Sequence, residues 1–506
     1  MSSTAPYSVV VLGGGSAGLI AAVTLKRQVP GIQVRLIYSD KIGIIGVGEG
    51  TTAYFPKHFF QHLGLDPRGF FQTAKPTWKL GIRFLWGRRK EFYYSFMTEF
   101  DASYPELSLD AGYYYDQGEG WCGIGSACMA NEVAFPCLTG SRLPNLNLVH
   151  AFHFENHRLV DWLEQAARSL GVEFTEGTLQ SVEQDDHGVR ALVMEDGTRH
   201  EADLFVDASG FRSELLGSAL DEPFVDYSDH LFCDRAWVAG WPRTDEDPLH
   251  PYTTAETMDS GWCWQIEHEE WVNRGYVFSS GFIEDDQARE EFMRKNPKIE
   301  KEPRLVKFRS GRAQRGWVKN VVGLGNASGF VEPLEATALH IICTQAAKIA
   351  EILKLMKCSV TQSAANLYNK VNATAWDDTR DFLAVHYAFN DLIDTPFWRH
   401  CVEKTDLGNA RELVEFYKEN GPSTSCRDYL IDSTNSFGLE GYFAMLVGQD
   451  VPYTNRMELP SKEIAFWKKH TSFLLEKARG GIGVLDSLHE VRKPSWKWEA
   501  FKGRTY

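Results

Sequence analysis

Three glycine-rich turns follow apolar stretches of this chain and are candidates for holding a phosphate-bearing ligand. The first is Gly13-x-Gly15-x-x-Gly18, between the apolar run Val9 to Leu12 and a helical pattern. Its glycines serve a tight turn, a close approach of backbone to a pyrophosphate, and close packing of helix on strand. The N–H groups at the helix start then face the phosphate charge. This predicts dinucleotide contacts at Gly13, Gly15, Ser16, Ala17 and Gly18. The next strand, VRLIY, is expected to end in an acid that holds ribose hydroxyls. Tyr38 stands there instead, so the contact falls to Ser39 or Asp40, and FAD and NAD both stay open. A second turn, GVGEGTT at 46–52, carries one carboxylate, Glu49; a plain surface turn would also account for its glycines. The third, ADLFVDASGFRS, is a strand ending at Asp207-x-Ser-Gly. A strand that returns so late to a nucleotide-binding sheet is typical of large flavoproteins, and three such turns favour FAD.

Other residues carry chemistry less openly. In SGWCWQIEHEE, 260–270, alternation predicts a strand with Trp262, Trp264 and Ile266 on one face and Cys263 and Gln265 on the other. HAFHFENH, 150–157, has metal-like histidine spacing, but it reads as a strand entering a helix, where three imidazoles do not converge, and no metal is predicted. In VEPLEATALHIICTQAAKIAEIL the helix is expected to start near Thr337 as N-cap. Glu335, just ahead of it, would ordinarily be a structural acid drawn by the helix dipole. The first-turn amides are a natural anion site. Arg309, Arg312 and Arg315 read as structural ion-pair partners. Lys79, between Trp78 and Leu80, would on composition alone be a surface lysine.

These residues need a large frame. At 506 residues, 43% apolar and 24% charged, the chain predicts a globular protein of two or three domains. A net charge of −15 argues against nucleic-acid binding. Nine cysteines without a C-x-x-C pair suggest neither a disulfide framework nor zinc, and fit a reduced, cytoplasmic setting. No apolar run approaches the roughly 18 residues of a membrane span, and VVVLGGGSAGLIAAV lacks a basic segment before it. With 15 Trp, 19 Tyr and 31 Phe, the composition suits enclosure of a flat aromatic ligand.

Taken in order, GGGSAG, GVGEGT, PTWKLGIRF, the D-x-S-G-F-R-S turn, W-x-W-x-I, GNASGFVEPLE and HYAFNDLIDTPFWRHC resemble the flavin-dependent tryptophan halogenase family over nearly the whole chain. The resemblance implies an α/β, Rossmann-like FAD-binding fold of the flavoprotein monooxygenase type, with a mainly helical C-terminal substrate subdomain. The FAD-binding part is expected at 1–84, 150–220 and 302–360. Segments 85–149 and 221–301 would form sheet and loops over the flavin and the tunnel, and 361–506 would cap the substrate.

The implied reaction uses FADH2, O2 and a halide. A flavin C4a-hydroperoxide oxidises chloride or bromide to hypohalous acid, which travels to an electron-rich ring, indole or tryptophan in type. The resemblance makes Lys79 the residue that presents the halogen, by hydrogen bond or as a haloamine; burial would supply its neutral form. Glu335 would orient Lys79 or the hypohalous acid and take the ring proton, with Glu332 less engaged. The amides of Thr337 and Ala338 would bind the halide. Ala336 and Ala338 replace the serine and glycine common in relatives, which leaves the amide donors in place. Flavin contacts are implied at Ser39, Glu49, Val182, Asp207 and Leu339 besides the first glycine turn. Trp262, Trp264 and Ile266 would keep substrate off the flavin, and Glu267, where proline is usual, is expected to loosen the strand's exit. A separate NAD(P)H-dependent flavin reductase and a homodimer are further implications. Gly421–Met445 lacks the double-tyrosine-plus-acid set that grips free tryptophan, which implies a pocket open to simple indoles or phenols. Rival readings are an aromatic hydroxylase using the same flavin chemistry and a non-catalytic flavin redox sensor.

Overall fold

The computed structural model describes residues 6–43, 46, 48–97, 107, 112–115, 123–138, 140–430 and 435–498. Parts of the expected 85–149 segment, Val47 of the GVGEGTT turn and residues 431–434 lie outside these.

The first sheet has six strands in the spatial order Trp317–Val318, Val321–Gly323, Leu204–Asp207, Ser8–Leu12, Gln33–Tyr38, Glu173–Glu176. All neighbours run parallel except the outermost pair, Trp317–Val318 with Val321–Gly323. A central parallel strand is covered on both faces and so reads as an unbroken apolar run. Ser8–Leu12 shows this directly. Val9 and Val11 enter one core with Leu19, Ile20, Leu159 and Ile342. Val10 and Leu12 enter another with Val189, Leu192 and Phe205. The helices Ser16–Gln28, Asn156–Ser169 and Ala338–Leu355 supply the first face.

The second sheet has seven strands, ordered Arg304–Lys307, Arg235–Pro242, Trp271–Phe278, Gly261–Glu267, Thr253–Met258, Gly81–Leu85, Phe92–Ser95. Gly81–Leu85 and Arg304–Lys307 both pair within this second sheet. In Gly81–Leu85, Ile82 and Phe84 are fully buried while Arg83 and Leu85 are half-buried, which suits a sheet with one dominant core face. That core also takes the C-terminal helices: Phe382, Trp398, Tyr442 and Met445 pack into one cluster with Phe84, Trp262 and Trp264. The longest of these helices, Gln362–Ala388, places His386 and Tyr387 in its last turn, both buried. Among the described residues no helix is long and apolar enough to cross a membrane.

Candidate active site

The first glycine turn is shaped as its spacing predicts. Gly13 has φ +124°, and a Cβ there would stand 2.2 Å from the Ala208 carbonyl oxygen. A Cβ on Gly18 would stand 1.9 Å from the Gly13 oxygen, yet one on Gly15 would meet nothing within 4 Å. Two glycines therefore close the turn, and the third faces open space at the amide end of the helix Ser16–Gln28. A dinucleotide pyrophosphate fits that cradle. Asn156, the first residue of its helix, lies 3.1 Å (Oδ1) from Ser16 Oγ and donates its Nδ2 to Glu49 Oε1 at 2.8 Å. Burial pushes the Glu49 carboxyl up to about 7, against the effect of the Asn156 bond.

The remaining candidate flavin residues differ in what they offer. Ser39 Oγ pairs with Thr178 Oγ1 at 2.8 Å. The Asp207 carboxylate is engaged within the chain: Oδ1 accepts from the Ser209 amide and hydroxyl, Oδ2 from the Leu215 and Leu216 amides. It shapes the Asp-x-Ser-Gly turn, whose Ala208 backbone abuts Gly13. Val182 packs on the core of Val10 and Leu12, and the Leu339 side chain lies in the core beneath the helices, so any flavin contact of Leu339 falls to its backbone. Of the arginines, Arg312 pairs with Asp377 and Arg315 with Glu222, while Arg309 lies over the Phe224 ring at 3.5 Å.

A small three-stranded sheet joins this cradle to Lys79. Ala151–Phe154 is its middle strand, pairing with Glu49–Gly50 on one side and Thr77–Lys79 on the other. The histidine-rich stretch is thus a strand running into the helix Asn156–Ser169. His153 Nε2 lies 2.8 Å from Thr253 Oγ1, while His157 sits on Glu155. Burial, and then the Lys79 charge, hold the His153 imidazole neutral.

Lys79 is fully buried, and its Nζ has no hydrogen-bond partner among the described residues. A buried, unpaired ammonium is unfavourable, so the group sheds its proton readily. Burial brings its pKa down to about 7, with the Glu335 charge opposing. Gly50 leaves the room the amine occupies: a Cβ there would be 3.3 Å from Lys79 Nζ and 3.4 Å from Ala336 Cβ. Glu335, next in the chain to Ala336, is also buried, and its Oε1 lies 2.8 Å from His386 Nε2. Thr337 takes the N-cap position of the helix Ala338–Leu355, as expected, but its side chain does not cap. With φ −82° and ψ −12° its backbone is already helical, whereas a capping hydroxyl needs an extended residue. The first-turn amides therefore have no intrahelical acceptor and no Thr337 hydroxyl upon them.

The tryptophan strand, Gly261–Glu267, buries Trp262, Trp264 and Ile266 in the core shared with the C-terminal helices and sends Cys263 into a different one, as the alternation predicts. Trp264 Nε1 donates to Asn273 at 3.0 Å. Trp262 Nε1 donates to Glu332 Oε1 at 3.0 Å, and that oxygen also accepts from the Tyr387 hydroxyl. Glu332 is thus the clamp on Trp262, with its carboxyl pushed up to about 7 by burial. Glu267 does not loosen the strand's end. It forms a buried ion pair with Arg243, accepts from Gln265 at 2.7 Å, and its carbonyl takes the Thr77 hydroxyl at 2.5 Å. The lysine and tryptophan strands are tied together there. In the Gly421–Met445 stretch, Glu440 accepts from Tyr114 at 2.8 Å inside the core.

Sequence reasoning missed Gly50, Asn156, His386 and Tyr387 as members of this site. His386 and Tyr387 are adjacent in HYAFND and bind two acids three residues apart in GFVEPLE, but that pairing crosses some 50 residues of chain and leaves no local periodicity. Asn156 sits within a stretch that read only as strand entering helix.

Comparison with known proteins agrees with this geometry. The family described as tryptophan halogenase matches residues 8–461. Tryptophan 7-halogenase RebH of Lentzea aerocolonigenes is 30% identical over 95% of this chain and 97% of its own. Tryptophan 7-halogenase KtzQ of Kutzneria sp. (strain 744) is 32% identical over 82% of each. Among solved structures, MibH, a lathipeptide tryptophan 5-halogenase, superposes with a TM-score of 0.89 at 34% identity, covering 99% of this chain and 96% of its own. BrvH, a flavin-dependent halogenase from Brevundimonas sp. BAL3, gives 0.83 at 26%, covering 96% and 99%. A buried lysine beside an acid, a glycine cradle and a clamped tryptophan strand thus occur in a chain that belongs to the flavin-dependent tryptophan halogenase family.

Proposed function

We propose that this enzyme uses FADH2 and O2 to oxidise chloride or bromide to hypohalous acid and delivers the halogen through Lys79 to an electron-rich aromatic ring of indole or tryptophan type. The observation that carries this reading is the buried amine of Lys79, without a hydrogen-bond partner among the described residues and beside Glu335. Gly13–Gly18 and the turns at Glu49 and Asp207 would hold reduced FAD, which with O2 would supply the two-electron oxidation of halide. The amides of Thr337 and Ala338 hold the halide, and the alanine side chains at 336 and 338 take no donor away. Neutral Lys79 receives hypohalous acid either as a hydrogen-bonded partner or by forming an N–halogen bond as the oxygen–halogen bond breaks, hydroxide leaving with the amine proton as water, and presents the electrophilic halogen to the ring. Glu335 orients it and accepts the ring proton. Trp262, Trp264 and Ile266 hold the aromatic substrate away from the flavin, which favours halogenation over hydroxylation. A separate NAD(P)H-dependent reductase supplies FADH2. Tryptophan within a peptide is a second substrate reading, favoured by the likeness to the lathipeptide enzyme.

The test supplies FAD, a flavin reductase, NADH, O2 and either halide to the protein with indole, tryptophan or a tryptophan-containing peptide. A product with the halogen isotope pattern supports the proposal; a gain of one oxygen supports the hydroxylase instead. The same assay reads a pH dependence. Only the neutral amine accepts the halogen, and its fraction grows as pH rises through about 7. The initial rate of bromination should climb between pH 6 and 8 and level off above. A rate that falls across this range would contradict the role of the neutral amine.

A further inference from the structure

The His386 imidazole is buried, and both of its nitrogens are engaged. Nδ1 lies 2.9 Å from the Phe382 carbonyl oxygen, one helical turn earlier, and Nε2 lies 2.8 Å from Glu335 Oε1. A carbonyl oxygen only accepts, so Nδ1 carries a hydrogen. Nε2 then faces the carboxyl in one of two ways: as N–H toward a carboxylate, or as a lone pair toward a protonated acid. Either way one proton lies between Nε2 and Oε1, and Glu335 Oε2 remains for another task.

The segment bearing His386 is held firmly. Trp86 Nε1 donates to the His386 carbonyl at 2.9 Å, Gly87 N donates to Asn390 at 2.9 Å, and Gln449 donates to the Val385 carbonyl at 3.2 Å. The Phe84 and Phe382 rings flank the imidazole, with centroids at 5.3 and 5.0 Å. Tyr387, the next residue, holds Glu332. The titratable groups facing Glu335 from other elements are Lys79, on the strand Thr77–Lys79, and Tyr94, on the strand Phe92–Ser95. Neither is bonded to the carboxyl, and among the described residues His386 is the side chain that fixes its direction.

We propose that His386 is a positioning residue that keeps one proton on the Oε1 side of Glu335 and so leaves Oε2 as the base for the halogenated ring. This rests on the proposed role of Glu335. After halogen adds, the ring C–H bond breaks, its electron pair returns to the ring, and the proton goes to Oε2. The shared proton then moves fully to Nε2, leaving a neutral acid and an imidazolium; the pair's charge goes from zero to +1.

The test is single-turnover bromination of indole and ring-deuterated indole by the full-length protein with FAD and reductase, in His386→Gln and His386→Asn. Glutamine offers Oε1 a donor but takes up no proton. Bromination should fall about 10²-fold in His386→Gln. Flavin affinity and trapped hypobromous acid should stay at native levels, and a ring-deuterium isotope effect absent from the native enzyme should emerge. A purely structural role would not produce that isotope effect. His386→Asn, shorter by one methylene, should show the same effect. Native bromination rates in either variant, or a slowed rate with no isotope effect, would overturn the proposal. Glu335→Gln, run in parallel, separates the two readings. If it brominates normally, the role of Glu335 itself falls; if it is inactive while His386→Gln is not, only the role of His386 falls.

Discussion

Replacing Lys79 by methionine is expected to remove ring halogenation, by about a thousand-fold or more, and to make the protein more stable below pH 7. Both effects follow from one placement. The amine is fully buried without a hydrogen-bond partner among the described residues, and burial takes its pKa from 10.5 to about 7. Methionine fills a similar volume and has no charge to bury. At pH 6 the native lysine is protonated in both folded and unfolded chains, so the folded state bears the full penalty of the buried charge. Between pH 7 and 10.5 the unfolded chain binds the extra proton and the folded one does not, so native stability rises with pH. The variant's advantage is therefore greatest below pH 7 and fades toward pH 10.5. A shift of this size corresponds to on the order of 4–5 kcal/mol. Thermal unfolding of both proteins in halide-free buffer at pH 6 and 10 reads the difference. Equal stability at pH 6 would show that the amine is not a desolvated charge, and retained regioselective bromination would refute its delivery role.

Glu335→Gln is expected to lower halogenation about 10²- to 10³-fold with the fold intact. The amide fits where the acid was: His386 Nδ1 must donate to the Phe382 carbonyl, so neutral Nε2 is a lone pair that accepts the Gln N–H. No buried polar atom is orphaned by the change, and the melting temperature should move little. What is lost is the carboxyl oxygen that accepts a ring proton. Bromination in single turnover, measured beside release of hypobromous acid to a soluble trap, distinguishes lost proton removal from lost halide oxidation. Release of trapped acid at the native level with little brominated indole is the expected pattern; loss of both would place Glu335 earlier in the reaction.

Much of the site was legible where chemistry is local. The roles of Gly13, Gly15 and Gly18 depend on backbone conformation and on contacts within one strand–turn–helix, and the structure shows two of them closing the turn and the third facing open space. The faces of the tryptophan strand followed from period-two alternation, and the start of the helix at Ala338 from its apolar pattern. Expectations that depended on side-chain direction fared worse. Thr337 holds the N-cap position without capping, because its ψ is already helical. Glu267 fastens the strand it was expected to loosen, because Arg243 and Thr77 reach it from other strands and loops of the chain.

Local residue patterns suffice for the elements and the reactive side chains: a glycine turn between strand and helix, an alternating aromatic strand, a lysine and an acid within recognisable motifs. Tertiary structure alone decided their chemical state. Lys79 reads as a surface residue in its local context; it is a buried amine because the strand Ala151–Phe154 joins its strand to that of Gly50, whose missing side chain makes room for it, and because its Nζ lies over the Phe96 ring. Glu335 and Glu332 are two acids in one motif, and it is His386 and Tyr387, some 50 residues on, that give one a shared proton and make the other a clamp. The physical reason is range. Backbone preference and periodicity act over a few residues, whereas desolvation and hydrogen-bond partnership depend on which distant segments meet.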